Sequence, residues 1–179
     1  MSNAAPFDVL IDLARKCQSS AHPLPERSTT TAHWAGLGIT LMDQRFVVPL
    51  NEVDEQVRTP QVTRIPGVKV FVSGIANVRG RLMTIVDLPM FFGVTSNFSR
   101  AQRRTLVVDQ NDRYVGFMVD ESLGMQHFPS EAFQETLETE VDERIKPYVR
   151  GCFRTAGNEW PVLSLHTLTA DQELEKLAS

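Results

Sequence analysis

Few residues in this chain have the types and spacing that metal or acid–base chemistry needs. The histidines are His22, His33, His127 and His166. None lies at the i, i+4 spacing that brings two metal ligands to one helix face, so we expect no metal site. Asp87 ends an apolar run, but the pattern places no carboxylate or histidine partner beside it, which favours an aspartate that caps a turn over a general base. Cys152 lies within a strand-like run, which indicates a buried thiol rather than a nucleophile.

The sequence motifs of the common enzyme classes are also missing. The chain has no Gly-x-Ser-x-Gly elbow, no Gly-x-x-x-x-Gly-Lys phosphate loop and no dinucleotide-binding glycine fingerprint after a strand. We therefore predict a protein that is not an enzyme, uses no cofactor and acts by binding other molecules through its surface.

Arginines offer the remaining chemistry, which is the binding of phosphate groups. The candidates are Arg79, Arg81, Arg100, Arg103 and Arg104. One hypothesis is therefore a small β-barrel that binds nucleic acid or phosphate through these side chains. The formal net charge of −4 argues against it, because nucleic-acid-binding domains usually carry a basic excess. In addition, Arg100, Arg103 and Arg104 lie in a predicted connecting segment, where arginine side chains are commonly just solvated.

Length and composition are those of a globular domain. With 179 residues, 42% apolar and 22% charged, the chain has enough material for one domain or two small subdomains that share a core. Its first residues lack the features of a secretory signal, and no apolar run approaches the roughly 20 residues of a spanning helix. We therefore expect no direct membrane insertion. The two cysteines lie far apart in the sequence, which suits reduced thiols and a cytoplasmic protein.

The periodicity predicts a mainly β protein with helices only at its ends. Residues 1–33 are predicted to hold an amphipathic helix and a Ser/Thr/Pro-rich arm, and residues 169–179 a short helix. Between them we count eight to ten short strands in two groups divided near residues 96–104, which favours barrels or sandwiches. Residues 51–58 suit a strand slightly better than a helical turn. The acidic residues 134–144 suit a solvated loop, with a partner-facing patch as the alternative.

The most informative stretch is a predicted hairpin. Two β-rich runs, 68–75 and 82–88, flank a corner made of Asn77, Val78, Arg79 and Gly80. After it, Phe91 and Phe92 form an apolar pair that is either part of the core or an anchor for a protein partner, and the sequence leaves both open.

The hairpin and its flanks resemble the CheW family of chemotaxis coupling proteins. The family pattern is an Ile-Pro segment, a Gly-x-x-Asn-x-Arg-Gly corner, a Pro-x-x-Asp-Leu strand and a Phe-Gly exit. Here the matching pieces are Ile65-Pro66, Gly74 to Gly80, Asp87-Leu88 and Phe92-Gly93. The resemblance extends over residues 34–168. The N-terminal region and residues 124–129 are similar to members of the family from twitching-motility (type IV pilus) systems.

The resemblance implies both a fold and a function. The fold is two SH3-like five-stranded β-barrels packed side by side around a shared apolar core, the first at about 34–95 and the second at about 100–168, with some strand exchange possible. The function is a non-catalytic adaptor in the array that controls twitching motility. It would hold a methyl-accepting chemoreceptor tip between the barrels and the regulatory domain of a CheA-type histidine kinase on the first barrel. We therefore expect recruitment from the cytoplasm to membrane-bound, polar receptor arrays.

The resemblance also implies site residues. Glu55 pairs with the corner arginine Arg79, Val53 lies in the groove wall and Gly74 is a hairpin position tied to partner binding. The full set of implied receptor- and kinase-binding residues is Val53, Glu55, Gln56, Gly74, Asn77, Val78, Arg79, Gly80, Phe91 and Phe92.

The chain departs from the family pattern at Gln56, Lys69, Thr84 and Pro89. Because these departures fall on the implied partner surfaces, we expect them to affect the choice of partner more than the fold.

Overall fold

The computed structural model describes residues 33–110, 113–155 and 157–175. The predicted N-terminal helix and nearly all of the arm, together with residues 176–179 of the predicted C-terminal helix, lie outside the described residues. The strands, in chain order, are β1 His33–Leu41, β2 Gln44–Pro49, β3 Glu55–Arg58, β4 Val72–Val78, β5 Arg81–Asp87, β6 Arg104–Gln110, β7 Arg113–Val119, β8 Glu121–Pro129, β9 Phe133–Gln134, β10 Val149–Thr155 and β11 Asn158–Leu163. The helices are α1 Leu88–Phe91, α2 Leu165–Thr169 and α3 Gln172–Glu175, and the 3-10 turns are Leu50–Glu52, Ser130–Ala132 and Lys146–Tyr148.

The strands form two sheets, which confirms the predicted mainly β class. The larger has six strands in the order β8-β1-β2-β11-β10-β9, in which only the β2–β11 pair is parallel. Its first and last strands, β8 and β9, are joined by the single turn Ser130–Ala132, so the sheet must curl to bring them together.

The smaller sheet has five strands in the order β3-β6-β7-β5-β4, in which only β5 and β7 are parallel. Beyond β4, Thr63 and Ile75 exchange two backbone hydrogen bonds, with N···O distances of 2.8 and 2.9 Å. Thr63 follows the end of β3 by only a few residues. The chain that leaves one edge strand therefore bonds to the other, and the sheet is nearly closed.

The two sheets do not follow the chain order that we predicted. β1 and β2, placed by the sequence in a first unit at 34–95, pair instead with β8 and β11 of the C-terminal half. The five-stranded sheet consists of the strands between residues 55 and 119. Residues 96–104 therefore connect α1, which follows β5, to β6. Since β5 and β6 belong to the same sheet, these residues do not divide the chain into two structural halves. Strand exchange, which the sequence left as a possibility, is the rule here.

One apolar core joins the two sheets. Buried side chains of β1 and β2, such as Ile39 and Phe46, belong to the same cluster as Leu106 and Phe117 of the five-stranded sheet. Each of these four is 0% exposed. Full burial of one such side chain contributes roughly 1.5–3 kcal/mol, so the contact between sheets is a main source of stability.

Single elements also differ from their predictions. β4 begins at Val72, and Val70 in the segment before it is 81% exposed, so residues 68–71 are not strand. The sequence pattern does not predict β8, because its apolar and polar residues do not alternate regularly and Phe128 alone among its nine residues is buried. The N-cap of the turn Ser130–Ala132 is Pro129, and no side chain forms a capping hydrogen bond there. None of the helices in the described part of the chain is long and apolar enough to cross a membrane.

Candidate functional site

The predicted corner is a two-residue hairpin turn. Val78 and Arg81 are the last paired residues, so Arg79 and Gly80 alone form the loop. Both have positive φ angles, 53° and 83°, as a type I′ turn requires. The Asn77 Oδ1 atom accepts a hydrogen bond from the Gly80 N–H at 2.9 Å, which fixes the turn. The arginine is thereby held at the tip, with 77% of its side chain exposed.

Glu55 pairs with this arginine, as the resemblance implies. The Arg79 Nη2 and Glu55 Oε1 atoms lie 2.6 Å apart. Glu55 begins β3 and Arg79 follows β4, and these are the two edge strands of the five-stranded sheet. The ion pair therefore links the edges at which the sheet closes. Because it is exposed, it contributes only about 0–1 kcal/mol to stability, and its main effect is to orient the two side chains.

Gly74 is required by the closure of the same sheet. Its φ is +137°, and a Cβ atom built on it would lie 2.2 Å from the Thr63 carbonyl oxygen. That oxygen is the one that bonds to the Ile75 N–H. Gly74 thus has a structural role whatever it contributes to binding.

Three further residues of the implied site connect the corner to the rest of the molecule. The exposed side chain of Gln56 accepts a hydrogen bond from the Ser122 Oγ atom of β8 at 2.7 Å, so this departure from the family pattern links the two sheets. Val53 is half-buried and packs against the main core between the sheets. Val78 is also half-buried and packs against the smaller core within the five-stranded sheet.

The aromatic pair after the hairpin is part of the core. Phe92 is 3% exposed, and Phe91 is half-buried between it and Phe71, with ring centroids 5.0 and 5.1 Å apart. Tyr148 packs against both rings. Of the two alternatives that the sequence left open, the structure favours the core.

Two more departures have internal partners. Lys69 forms an ion pair with Glu173 of α3, and its ammonium group lies 5.7 Å from the centre of the Phe71 ring. Pro89 is buried in the first turn of α1, where the missing N–H of a proline costs nothing.

The arginines of the phosphate-binding hypothesis do not form one cluster. Arg103 is 7% exposed and forms a bidentate pair with Asp87, at 2.7 and 2.8 Å. Arg81 pairs with Asp109 of β6 and lies over the Tyr114 ring, and the bond to this carboxylate raises the pKa of Arg81. Arg100 and Arg104 donate to backbone carbonyl oxygens. These guanidinium groups are engaged within the protein, which weakens the hypothesis.

Asp87 has the predicted capping role and a second one that the sequence did not show. Its Oδ1 atom accepts from the Met90 N–H at 3.3 Å, which caps α1. Its pair with Arg103 belongs to a buried network that includes Asp120, 3.9 Å from the Arg103 Nε atom. Asp120 in turn accepts a hydrogen bond at 2.8 Å from the Met42 N–H, in the turn between β1 and β2 of the six-stranded sheet. The only sign of this network in the sequence was a carboxylate at the end of a strand. The other members of the network are distant in the chain and come together only in the folded structure.

Cys152 is a buried thiol, as predicted. It is 0% exposed, and burial, followed by a hydrogen bond to Glu159, raises the pKa of the thiol to about 12. Such a group is not a nucleophile at neutral pH. Within residues 33–110, 113–155 and 157–175, no three His, Cys, Asp or Glu side chains converge as a metal site requires.

Comparison with known proteins identifies the family. The model of the CheW-like domain matches residues 35–173, which is most of the chain. The chain belongs to the CheW-like family. The corner and the two interleaved sheets are therefore features of a CheW-like domain.

Individual relatives agree with this assignment. The chain is 40% identical to the protein PilI of Pseudomonas aeruginosa over 167 residues, which is 93% of each chain. It is 30% identical to the chemotaxis protein CheW of Helicobacter pylori over 84 residues, 47% of this chain and 51% of that one. The scaffolding protein TtCheW of Thermoanaerobacter tengcongensis has the same fold, with a TM-score of 0.67 and 20% identity over 79% of this chain and 96% of that chain.

Proposed function

We propose that this protein is a non-catalytic adaptor that couples a methyl-accepting chemoreceptor to a CheA-type histidine kinase. The receptor, the adaptor and the kinase would form a chemosensory array that controls type IV pilus twitching motility. The adaptor would be recruited from the cytoplasm to such arrays at membrane-bound, polar receptor clusters. The observation that carries the proposal is the Glu55–Arg79 pair at the tip of a CheW-like hairpin. Identity of 40% with PilI over nearly the whole chain supports the assignment to a pilus system.

The proposed binding surface is the corner and the sheet edge beside it. The exposed Arg79 and the half-buried Glu55, Val53 and Val78 would contact the receptor tip or the kinase regulatory domain. Gly74, Asn77 and Gly80 would shape the backbone beneath them. Gln56 would act by joining β3 to β8. Phe91 and Phe92, which pack inside the protein, would support the surface from within.

Reversing the corner charge tests the proposal. We expect Arg79→Glu to impair binding to the purified receptor tip and kinase regulatory domain, because it opposes two carboxylates at the tip. The thermal midpoint should stay within a few degrees of wild type, since an exposed pair contributes only about 0–1 kcal/mol. Calorimetric titration against each partner and a thermal melt would measure the two effects.

Two further variants sharpen this test. Arg45→Glu, at an exposed position of β2 on the other sheet, makes the same charge change and should retain binding. The double variant Glu55→Arg/Arg79→Glu restores the pair with its charges exchanged, so it should recover binding if the pair acts by fixing the corner. No recovery would mean that the Arg79 guanidinium contacts the partner directly. Absence of wild-type binding to both partners would refute the adaptor function.

A further inference from the structure

The six-stranded sheet carries a second feature with the chemistry of a binding site. A cleft of about 430 Å³ opens between β1, β10 and the turn after β2, and we call it the Arg150 cleft. Trp34, Phe133 and Phe153 form its aromatic walls, and Asn51, Glu52 and Arg150 supply its polar groups. This volume exceeds that of any single side chain, and aromatic walls with few polar groups are typical of binding sites.

A buried carboxylate organises the cleft. The side chain of Glu52 is 1% exposed, and its Oε1 atom lies 3.0 Å from the Arg150 Nη1 atom. Its oxygens also accept from the Ser164 Oγ atom at 3.0 and 3.2 Å and from the His166 N–H at 3.0 Å. Glu52 is thereby occupied inside the protein. Its role at the cleft is to hold the guanidinium in place.

Arg150 remains accessible although Glu52 holds it. Its side chain is 53% exposed. A guanidinium group has five N–H donors in a fixed fork, which is more than one carboxylate oxygen uses. Arg150 can therefore donate to a second anion beside the aromatic walls, and charge-assisted bonds of this kind are among the stronger polar contacts of proteins.

The open rim indicates what would fill the cleft. Phe133 is 39% exposed, and both it and Arg150 would stay in contact with water around a small bound molecule. A protein surface can cover the rim while one of its side chains enters the cleft, and aromatic anchors in such pockets carry much of the energy of protein interfaces. The Arg150 cation beside the walls selects an anchor with a carboxylate next to it.

We propose that the Arg150 cleft is a docking site for an acidic segment of a partner protein. The rings of Trp34 and Phe153 are stacked with centroids 4.5 Å apart, and those of Phe133 and Phe153 lie 5.3 Å apart, so together they form a continuous aromatic surface. An aromatic side chain of the partner packs against this surface, and a neighbouring carboxylate pairs with Arg150. This surface belongs to the six-stranded sheet, whereas the Glu55–Arg79 corner belongs to the five-stranded sheet. The two surfaces can therefore be tested separately.

In the test, the synthetic peptide acetyl-Gly-Glu-Phe-Glu-Gly-amide is titrated into the full chain. Binding is monitored by NMR through the signal of the Trp34 indole N–H. We expect the Glu peptide to bind at least about tenfold more tightly than its Gln analogue. Arg150→Gln should abolish this difference. The matched control Arg45→Gln should preserve it, and so should Arg79→Glu, which removes only the corner pair.

Three results would overturn the proposal. The first is that the Glu peptide causes no shift of the Trp34 signal, and the second is that the Glu and Gln peptides bind with equal affinity. The third is that free 3-phenylpropionate binds as tightly as the Glu peptide, which would indicate a small-molecule site instead. Circular dichroism of each variant checks that the fold persists.

Discussion

Arg79 occupies a backbone conformation that suits an arginine poorly. A left-handed φ costs a residue with a Cβ roughly 1–2 kcal/mol, whereas the exposed pair with Glu55 returns only about 0–1 kcal/mol. Asn or Gly at this position would serve the turn as well or better. The guanidinium at the tip is therefore not explained by stability, which is a physical reason to look for its role in binding.

Gly74 presents the opposite case, because stability alone explains it. We expect Gly74→Ala to lower the free energy of unfolding by at least about 2 kcal/mol, since it combines a strained φ with a clash against the Thr63 carbonyl oxygen. Urea denaturation measures the effect. Gly67→Ala is the matched control, because Gly67 also has a positive φ but open space around it. Similar losses in both variants would show that the clash relaxes at no cost.

At the scale of elements, the C-terminal helices are tied to the sheets by side chains. The Tyr148 hydroxyl, next to β10, donates to the Asp171 Oδ2 atom before α3 at 2.8 Å. Burial, with this hydrogen bond to a carboxylate, raises the pKa of Tyr148 to about 12 from the usual 10.0. The folded state therefore favours the protonated phenol more than the unfolded state does.

This raised pKa predicts a loss of stability in alkali. The contribution of Tyr148 is fully present below pH 10, the unfolded value, and falls as the pH rises towards 12, because only the unfolded chain then gains from ionisation. We expect the stability difference between wild type and Tyr148→Phe to shrink between pH 9 and pH 11 in urea titrations. Other alkaline effects, such as that of the buried Cys152, cancel in this difference. A constant difference would contradict the assignment.

At the scale of the whole molecule, one buried network ties the two sheets together. Arg103 pairs with Asp87 at the end of β5, and Asp120, beside Arg103, bonds to Met42 in the turn between β1 and β2. Since both carboxylates are largely out of water, the Arg103 cation balances much of their charge. Removal of one partner from such a buried network leaves charge uncompensated.

We therefore expect Arg103→Met to destabilise the protein by about 3–5 kcal/mol, as measured by urea denaturation. Arg100→Met is the matched control, because Arg100 is exposed on the same connection and should change stability little. Asp87→Asn in the Arg103→Met background should restore part of the loss, since it removes one of the two buried charges. A loss below about 1 kcal/mol in Arg103→Met would mean that water already solvates these carboxylates.

Local sequence patterns by themselves determined much of this protein. Alternation and turn chemistry predicted the mainly β class, and the corner follows directly from neighbouring residues. The motif around Arg79 carries the resemblance to the family, which the comparison confirms, and the resemblance implied the ion pair with Glu55. The strand alternation and the corner depend on short stretches whose geometry their own residues fix, whereas the ion pair joins residues 24 positions apart.

Only the tertiary structure decided what depends on distant segments meeting. The pairing of β1 with β8, the burial of Arg103 and the contact of Glu52 with Arg150 join parts of the chain that no local pattern relates. A strand can satisfy its hydrogen bonds with any compatible partner, and the choice is made by which arrangement buries the shared core. The sequence therefore showed the corner, whereas the interleaving of the sheets and the Arg150 cleft emerged from the fold.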